Sequence, residues 1–144
     1  MDTVIESAPY AKDCIQCGAP ADATVVEVLT GGRHQWDLHG TCPNCGNEWY
    51  ECDFEPPPAS VRAAILAANG ASVLDLGAGS ATPAAVMRVL RQVRPLSLSQ
   101  ARAMADELLR IGLRGTLVEM ESLARPLRAA GAVVSIRPSS ADDL

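Results

Sequence analysis

The second half of the chain has the apolar spacing of amphipathic helices. Between residues 83 and 94, apolar side chains recur at i, i+3, i+4 and i+7, which buries one helix face: Val86, Val89, Leu90 and Val93. Thr82 can cap this helix, with Pro83 at its first position. Residues 97–100 form a capping box, which opens a second helix that we expect to end at about Arg110.

Strand-like segments flank these helices. Small and β-branched residues predict strands at about residues 73–76, 115–118 and 132–136. A third helix is predicted over about residues 122–130, ending at Gly131, although Pro126 would shorten or kink it. The predicted order over residues 72–137 is therefore β-α-α-β-α-β, a compact unit of its own.

The first half instead alternates apolar and polar residues, which is typical of strands. Residues 24–29 are rich in β-branched side chains, Gly31 and Gly32 indicate a hairpin turn, and residues 34–38 return as a second strand. Residues 48–54 alternate again. We predict a small all-β unit of three strands over residues 12–55, preceded by a flexible N-terminus at residues 1–11.

Two cysteine pairs carry the strongest chemical signal in the sequence. Cys14 and Cys17 form one pair, Cys42 and Cys45 form the other, and each pair is followed by a glycine. Four thiolates on two tight turns match a tetrahedral Zn²⁺ site with Zn–S distances of about 2.3 Å. A complete Cys₄ shell has no open position for substrate, so we predict structural rather than catalytic zinc.

Other uses of these residues are less consistent with the pattern. Disulfides are disfavoured in reducing compartments, and a thioredoxin-like redox site needs only one pair, near a βαβ pattern. His34 and His39 are alternative ligands, although the Cys₄ set is complete without them. Cys52 alternates with Tyr50 and Phe54, so we expect it to pack in a small core.

Composition and charge change sharply at the prolines of residues 56–58. Residues 1–58 carry ten acids and two bases, together with all five aromatic residues and all five cysteines. Residues 59–144 carry seven acids and ten arginines. Such a shift marks a domain boundary. We therefore interpret residues 56–71 as a proline-rich spacer with a short helix at residues 59–68, and residues 138–144 as a tail.

Two further features bear on localisation. No apolar run reaches the roughly 18 residues of a membrane span. The first residues are acidic, whereas a secretory signal begins with positive charge. We expect a cytoplasmic protein without a membrane partner.

Residues 73–80 resemble the first motif of S-adenosylmethionine-dependent methyltransferases, in which a strand enters a glycine-rich turn. Three features disfavour that interpretation. Ala81 replaces a glycine of the fuller pattern, and no acid lies between Asp75 and Asp106 to hold a ribose. The residues that follow are too few for a doubly wound sheet. We favour a strand that ends in a turn of small residues.

The cysteine turns and their strands, residues 12–54, resemble the broad zinc-ribbon class. That class includes nucleic-acid binders, transcription and ribosomal proteins, and purely structural modules. The resemblance therefore implies a metal but little about function.

Residues 72–137 resemble the C-terminal domain of the large-subunit ribosomal stalk protein, which recruits translational GTPases. The similarity lies in residues 86–91, 96–102 and 127–134, in the same order and spacing. Clp protease adaptors share the same general fold. The two resemblances together imply an α+β protein with a zinc ribbon and a stalk-like domain.

The stalk resemblance implies a partner-binding face on the first two helices, at Ala84, Met87, Arg88, Arg91 and Arg102. The residue spacing agrees, since four of these positions form a second helical stripe offset from the buried one. An apolar spot among arginines suits an acidic, partly apolar helix of a partner such as a translational GTPase.

This chain also departs from the stalk pattern. Pro83 replaces a lysine, while Pro95 and Ser97 replace glycines between the helices. The zinc ribbon stands in place of the family's dimerising domain and hinge. The resemblance therefore extends to the docking domain, or to its fold alone.

We expect a non-enzymatic adaptor that binds structural zinc and docks a protein partner. An alternative is a nucleic-acid-binding or ribosome-associated protein, but the ribbon is acidic and the basic half has no aromatic residue for stacking. A methyltransferase fragment is a weaker alternative. No catalytic constellation is evident in the sequence.

Overall fold

The computed structural model of the protein describes residues 3–54 and 56–140. The chain divides into two compact units, residues 1–70 and residues 71–144. Each unit combines an antiparallel sheet with helical structure, so the fold is α+β. In these ranges no helix is both long and apolar enough to cross a membrane. Residues 141–144 of the predicted tail lie outside the described residues.

The first unit is built on a four-stranded meander. Its strands are β1 (Thr3–Asp13), β2 (Pro20–Thr30), β3 (Arg33–Thr41) and β4 (Glu48–Asp53). Each strand pairs antiparallel with the next one in the chain. The last three strands were predicted from the sequence and are confirmed, and β2 buries every second residue from Ala21 to Leu29.

The prediction of a flexible N-terminus at residues 1–11 is wrong for the residues that the structure describes. Strand β1 begins at Thr3 and pairs with β2 along its whole length. Its sequence conceals the strand, because the inward positions include the charged Glu6 and Lys12 while Ile5 points outward and is exposed. The sheet of the first unit therefore has four strands rather than the three predicted.

Residues 56–71 are not a spacer between domains, although the predicted helix exists. Helix α1 (Ala59–Asn69) belongs to the first unit, where it packs on the sheet. Its buried Val61 and Ile65 join Ala8 and Val25 in one apolar cluster. The boundary between the units therefore lies after residue 70 rather than at the prolines, and the first unit is not all-β.

A close contact between neighbouring strands completes this core. Gly40 on β3 pairs with Trp49 on β4, and the indole ring lies across the glycine. A Cβ atom at position 40 would come within 2.3 Å of that ring. Glycine is therefore required here by close packing rather than by backbone conformation.

The second unit has the predicted order β-α-α-β-α-β. Its elements are β5 (Ser72–Leu76), α2 (Pro83–Val93), α3 (Leu98–Arg110), β6 (Leu113–Gly115), α4 (Leu117–Ala129) and β7 (Val134–Pro138). The sheet has the order β6-β5-β7, with both pairs antiparallel. The core combines apolar side chains from β5 and the three helices: Leu74, Val86, Leu90, Leu108, Leu123 and Leu127.

Two predicted boundaries in this unit were wrong. Thr116, assigned to a strand from sequence, instead caps α4, because its side chain accepts from the N–H of Glu119 and the Glu119 side chain accepts from the N–H of Thr116. The helix therefore begins at Leu117 and continues past Pro126 to Ala129. The last strand runs from Val134 to Pro138, two residues later than predicted.

The glycine-rich segment after β5 has a structural role in an antiparallel sheet. The N–H of Gly77 donates to the carbonyl of Val133 at 2.7 Å, and Asp75 pairs with Arg137 at 2.7 Å. Nucleotide-binding turns of the methyltransferase type follow strands of a parallel sheet. The described part of this unit contains only antiparallel pairs, which supports the interpretation of residues 73–80 as a strand and a simple turn.

Candidate metal centre

Both cysteine turns have the same local geometry. In each turn the N–H of the glycine donates to the carbonyl of the first cysteine, at 3.0 Å for Gly18 and 2.9 Å for Gly46. Both glycines have positive φ, 76° and 77°, which explains why glycine follows each pair. The turns are closed by bonds from the first cysteine N–H to Ala19 and to Asn47.

The meander brings the two turns to the same end of the sheet. The first turn joins β1 to β2, and the second joins β3 to β4. Because Asp22 near the start of β2 pairs with Thr41 at the end of β3, the turns lie side by side. The structure thereby unites the four cysteines predicted as ligands, although 24 residues separate the two pairs along the chain.

The sulfur positions fit a tetrahedral metal ion. All four Sγ atoms lie within 4.8 Å of one another, with Cys14 to Cys45 at 3.7 Å and Cys17 to Cys42 at 3.6 Å. A tetrahedral site with metal–sulfur bonds of about 2.3 Å separates its sulfurs by about 3.8 Å. The cysteine cluster can therefore hold a metal ion with little rearrangement.

Burial divides the cysteines into two classes. The first cysteine of each turn, Cys14 or Cys42, is only 4% exposed and packs against the core of the unit. The second cysteine of each turn, Cys17 or Cys45, is exposed. The centre is thus anchored to the core on one side and borders solvent on the other.

Hydrogen bonds to sulfur surround the centre. The backbone N–H groups of Gln16 and Cys17 donate to Cys14 Sγ at 3.4 and 3.5 Å. Two side-chain amides also donate, from Asn44 Nδ2 to Cys17 Sγ at 3.6 Å and from Asn47 Nδ2 to Cys14 Sγ at 3.8 Å. Neither asparagine was predicted as a functional residue, because the only signal in the sequence is its position on a cysteine turn.

The thiols of the cysteine cluster have divergent pKa values. The backbone N–H of Cys17 is the main cause that lowers the pKa of Cys14 to about 6, against the opposing effect of desolvation. The N–H of Asn47 lowers the pKa of Cys45, but desolvation and the three neighbouring cysteines outweigh it and raise that pKa to about 12. A metal must displace the remaining protons, so its affinity should rise with pH.

Neither histidine that we considered as an alternative ligand belongs to the cysteine cluster. His34 Nε2 lies 2.6 Å from Glu27 Oε2, and His39 Nε2 lies 2.7 Å from Glu48 Oε1. Both side chains thus have carboxylate partners of their own on the sheet.

The expectation that Cys52 packs in a core is wrong. It lies exposed on the outer face of the sheet with Tyr50 and Phe54, which are 72% and 62% exposed. The alternation of β4 is real, but the opposite set, beginning with Trp49, faces the core. Period-2 spacing identifies two faces without showing which one is buried.

The second candidate site is a groove on the second unit. It has a volume of about 440 Å³ and is lined by parts of α2 and the start of α3: Ala84, Met87, Arg88, Arg91, Gln92 and Leu98. Four of the five positions predicted for partner binding therefore come together, while Arg102 is outside the lining. Leu98 also lines the groove, although it was not among the predicted positions; its side chain is 63% exposed despite being apolar.

Comparisons of this chain with models of protein families, with curated proteins and with solved structures found no match. The cysteine cluster offers a closed set of four sulfur ligands, and the groove offers apolar surface beside two guanidinium groups.

Proposed function

We propose that this protein is a non-enzymatic adaptor in which structural Zn²⁺ stabilises the first unit and the second unit docks a protein partner. The observation that carries the zinc part is the convergence of four cysteine sulfurs at tetrahedral spacing. Soft thiolate ligands in that geometry favour zinc or an iron–sulfur site. Zinc fits best, because the turns supply a closed structural shell of the kind that stabilises small domains.

The docking part is supported by the groove and by the stalk resemblance. Met87 and Leu98 offer apolar surface, while Arg88 and Arg91 lie beside it. Arg91 Nε donates to the carbonyl of Leu96 at 3.3 Å, which orients its guanidinium near the groove. A partner helix with acidic and apolar residues is complementary to this surface, and a translational GTPase is the partner class that the resemblance implies.

Metal content tests the zinc part directly. We expect elemental analysis of the purified protein to give one zinc per chain, with no visible absorbance. Replacing Cys14 and Cys42 by serine should abolish binding. Stoichiometric iron with charge-transfer absorbance, or a chain without bound metal, would overturn the zinc assignment.

A charge-reversal pair tests the docking part. Arg88→Glu combined with Arg91→Glu should abolish binding to a purified translational GTPase, measured by calorimetry, because it places acids against an acidic helix. Arg110→Glu combined with Arg114→Glu reverses two exposed arginines that do not line the groove. That control should bind like the unaltered chain.

The remaining outcomes separate the parts of the proposal. Equal loss in both double variants would mean that net charge rather than the groove governs binding. An unaltered chain that binds no GTPase would remove that partner class. Binding of RNA or DNA that weakens steeply with salt would instead favour the nucleic-acid alternative.

A further inference from the structure

The two exposed cysteines of the metal centre form a natural comparison. Cys17 and Cys45 each occupy the second cysteine position of a turn, and both are exposed. The two turns also share the same backbone hydrogen bond, from the N–H of Gly18 or Gly46 to the carbonyl of the first cysteine. The two sulfurs therefore do not differ in the backbone geometry of their turns, and both are exposed to solvent.

Side-chain amides distinguish them. Asn44 and Asn47 both lie on the second turn, yet they donate to the cysteines of the first turn, Cys17 and Cys14. The equivalent positions on the first turn are Gln16 and Ala19. Within residues 3–54, no side-chain N–H donates to the sulfur of Cys42 or Cys45.

This asymmetry has a chemical consequence in a metal-bound cluster. A zinc-bound thiolate keeps part of its negative charge and remains a nucleophile. An N–H donor on the sulfur draws on the same lone pairs and so lowers its nucleophilicity. Cys17 carries such a side-chain donor and Cys45 does not.

We propose that Cys45 is the site at which the metal centre reacts with soft electrophiles, because the asparagine amides protect the opposite cysteine pair. The inference rests on the proposed zinc site and extends it to reactivity. With iodoacetamide, the Cys45 sulfur attacks the methylene carbon, a C–S bond forms, and iodide leaves with the electrons of the C–I bond. The resulting thioether is a weaker ligand, so alkylation should release zinc.

The experiment uses the zinc-loaded chain with both units and Cys52→Ser, which removes an exposed thiol outside the four-cysteine cluster. A limiting amount of iodoacetamide is added, and peptide mass spectrometry follows each cysteine with time. Zinc content is measured on the same samples. We expect Cys45 to react about two- to tenfold faster than Cys17, the factor that one ordinary hydrogen bond supplies.

Asn44→Ala tests the cause of this preference. It should raise the rate at Cys17 toward that at Cys45, whereas Gln16→Ala, the same position on the first turn, should leave the ratio unchanged. If Asn44→Ala binds zinc poorly, the ratio of the alkylation rates at Cys45 and Cys17 in the zinc-loaded Cys52→Ser chain, which keeps both asparagines, still tests the inference.

Failure of the Cys45 inference can be distinguished from failure of the zinc proposal. Equal rates, or faster alkylation at Cys17, in a fully zinc-loaded chain would overturn this inference and leave the zinc site intact. An unchanged ratio in zinc-loaded Asn44→Ala would do the same. A chain that holds no zinc would overturn both proposals together.

Discussion

Among individual residues, Glu27 is the clearest case of a buried carboxyl group that depends on one neighbour. Its side chain on β2 is fully buried, and Oε2 lies 2.6 Å from His34 Nε2 on β3. Its other oxygen, Oε1, has no hydrogen-bond partner among the described residues. A carboxylate in this position is costly unless its single partner is retained.

We therefore predict that His34→Ala lowers the free energy of unfolding by about 2 kcal/mol, the typical cost of leaving a buried polar group without its partner. Urea denaturation of the zinc-loaded chain, followed by tryptophan fluorescence, measures the change. His39→Ala is the matched control, because that histidine also pairs with a glutamate on the sheet but both side chains are about half exposed. Similar losses in the two variants would contradict the special role of Glu27.

Tyr50 allows a pH prediction on the outer face of the same sheet. Its hydroxyl donates to Glu48 Oε1 at 2.9 Å, and this hydrogen bond, followed by the negative charge of the carboxylate, raises the pKa of Tyr50 above its usual 10. Because the pKa of Tyr50 is higher in the folded than in the unfolded protein, the Tyr50–Glu48 hydrogen bond stabilises the folded protein fully below pH 10. It is lost as the pH rises through the folded value.

Glu48→Gln should therefore return the pKa of Tyr50 toward 10. Absorbance at 295 nm during an alkaline titration gives the value, in a Tyr10→Phe background so that one tyrosine titrates. The Tyr10→Phe chain with Glu48 intact is the reference. A titration midpoint that Glu48→Gln does not move would show that this hydrogen bond does not form in solution.

Residue-scale chemistry was only partly predictable. The four cysteines could be identified because paired spacing and a following glycine encode a turn locally. Asn44 and Asn47 could not, because the sulfurs that they contact lie on the other turn, and only the meander brings them together. The burial of Glu27 was equally hidden, since alternation gives no sign that a charged position faces inward.

At the scale of elements, the assignment of α1 to the first unit changes how that unit is stabilised. The apolar spacing of α1 and its end at Gly70 could be predicted from the sequence, but the surface against which the helix packs could not. The prolines and the change in charge at residues 56–58 indicated a boundary, whereas Val61 and Ile65 pack with the sheet. Composition describes what a segment contains, and packing decides where it belongs.

Ile65→Ala should accordingly lower the free energy of unfolding of the first unit by about 2–5 kcal/mol, because it leaves a cavity in a fully buried site. Tryptophan fluorescence reports on this unit selectively, since both tryptophans, Trp36 and Trp49, lie within it. Leu66→Ala removes a similar side chain from a half-buried neighbouring position and should cost clearly less. If Ile65→Ala left the transition unchanged, α1 would have to be a spacer after all.

On the scale of the whole molecule, charge and the candidate metal ligands are segregated between the two units. With the boundary after residue 70, the first unit has ten acids and three bases, and the second has seven acids and nine arginines. The sequence predicted this division because composition changes abruptly. It placed the boundary about a dozen residues too early, since α1 completes the first unit.

The segregation predicts that removing the metal affects the two units unequally. The apolar cluster of the first unit includes Cys14 and Cys42, so its core and its metal centre are continuous. Structural zinc contributes on the order of 10 kcal/mol to small domains, which is as much as the total stability of most domains. We expect exhaustive chelation to unfold the first unit while the second unit, with its own core of three helices and a sheet, stays folded.

Tryptophan fluorescence and circular dichroism, measured on one sample, can follow the two units separately during chelation. Tryptophan emission should shift to the red on chelation, because Trp49 is buried only in the folded first unit. Far-ultraviolet circular dichroism should keep the helical signal of α2, α3 and α4. Readdition of Zn²⁺, but not of Mg²⁺, should restore the emission, since thiolates select the softer ion. If the tryptophan emission stayed unchanged after complete metal removal, the apolar core beneath α1 would suffice for the first unit, and its cysteines would need a role other than folding.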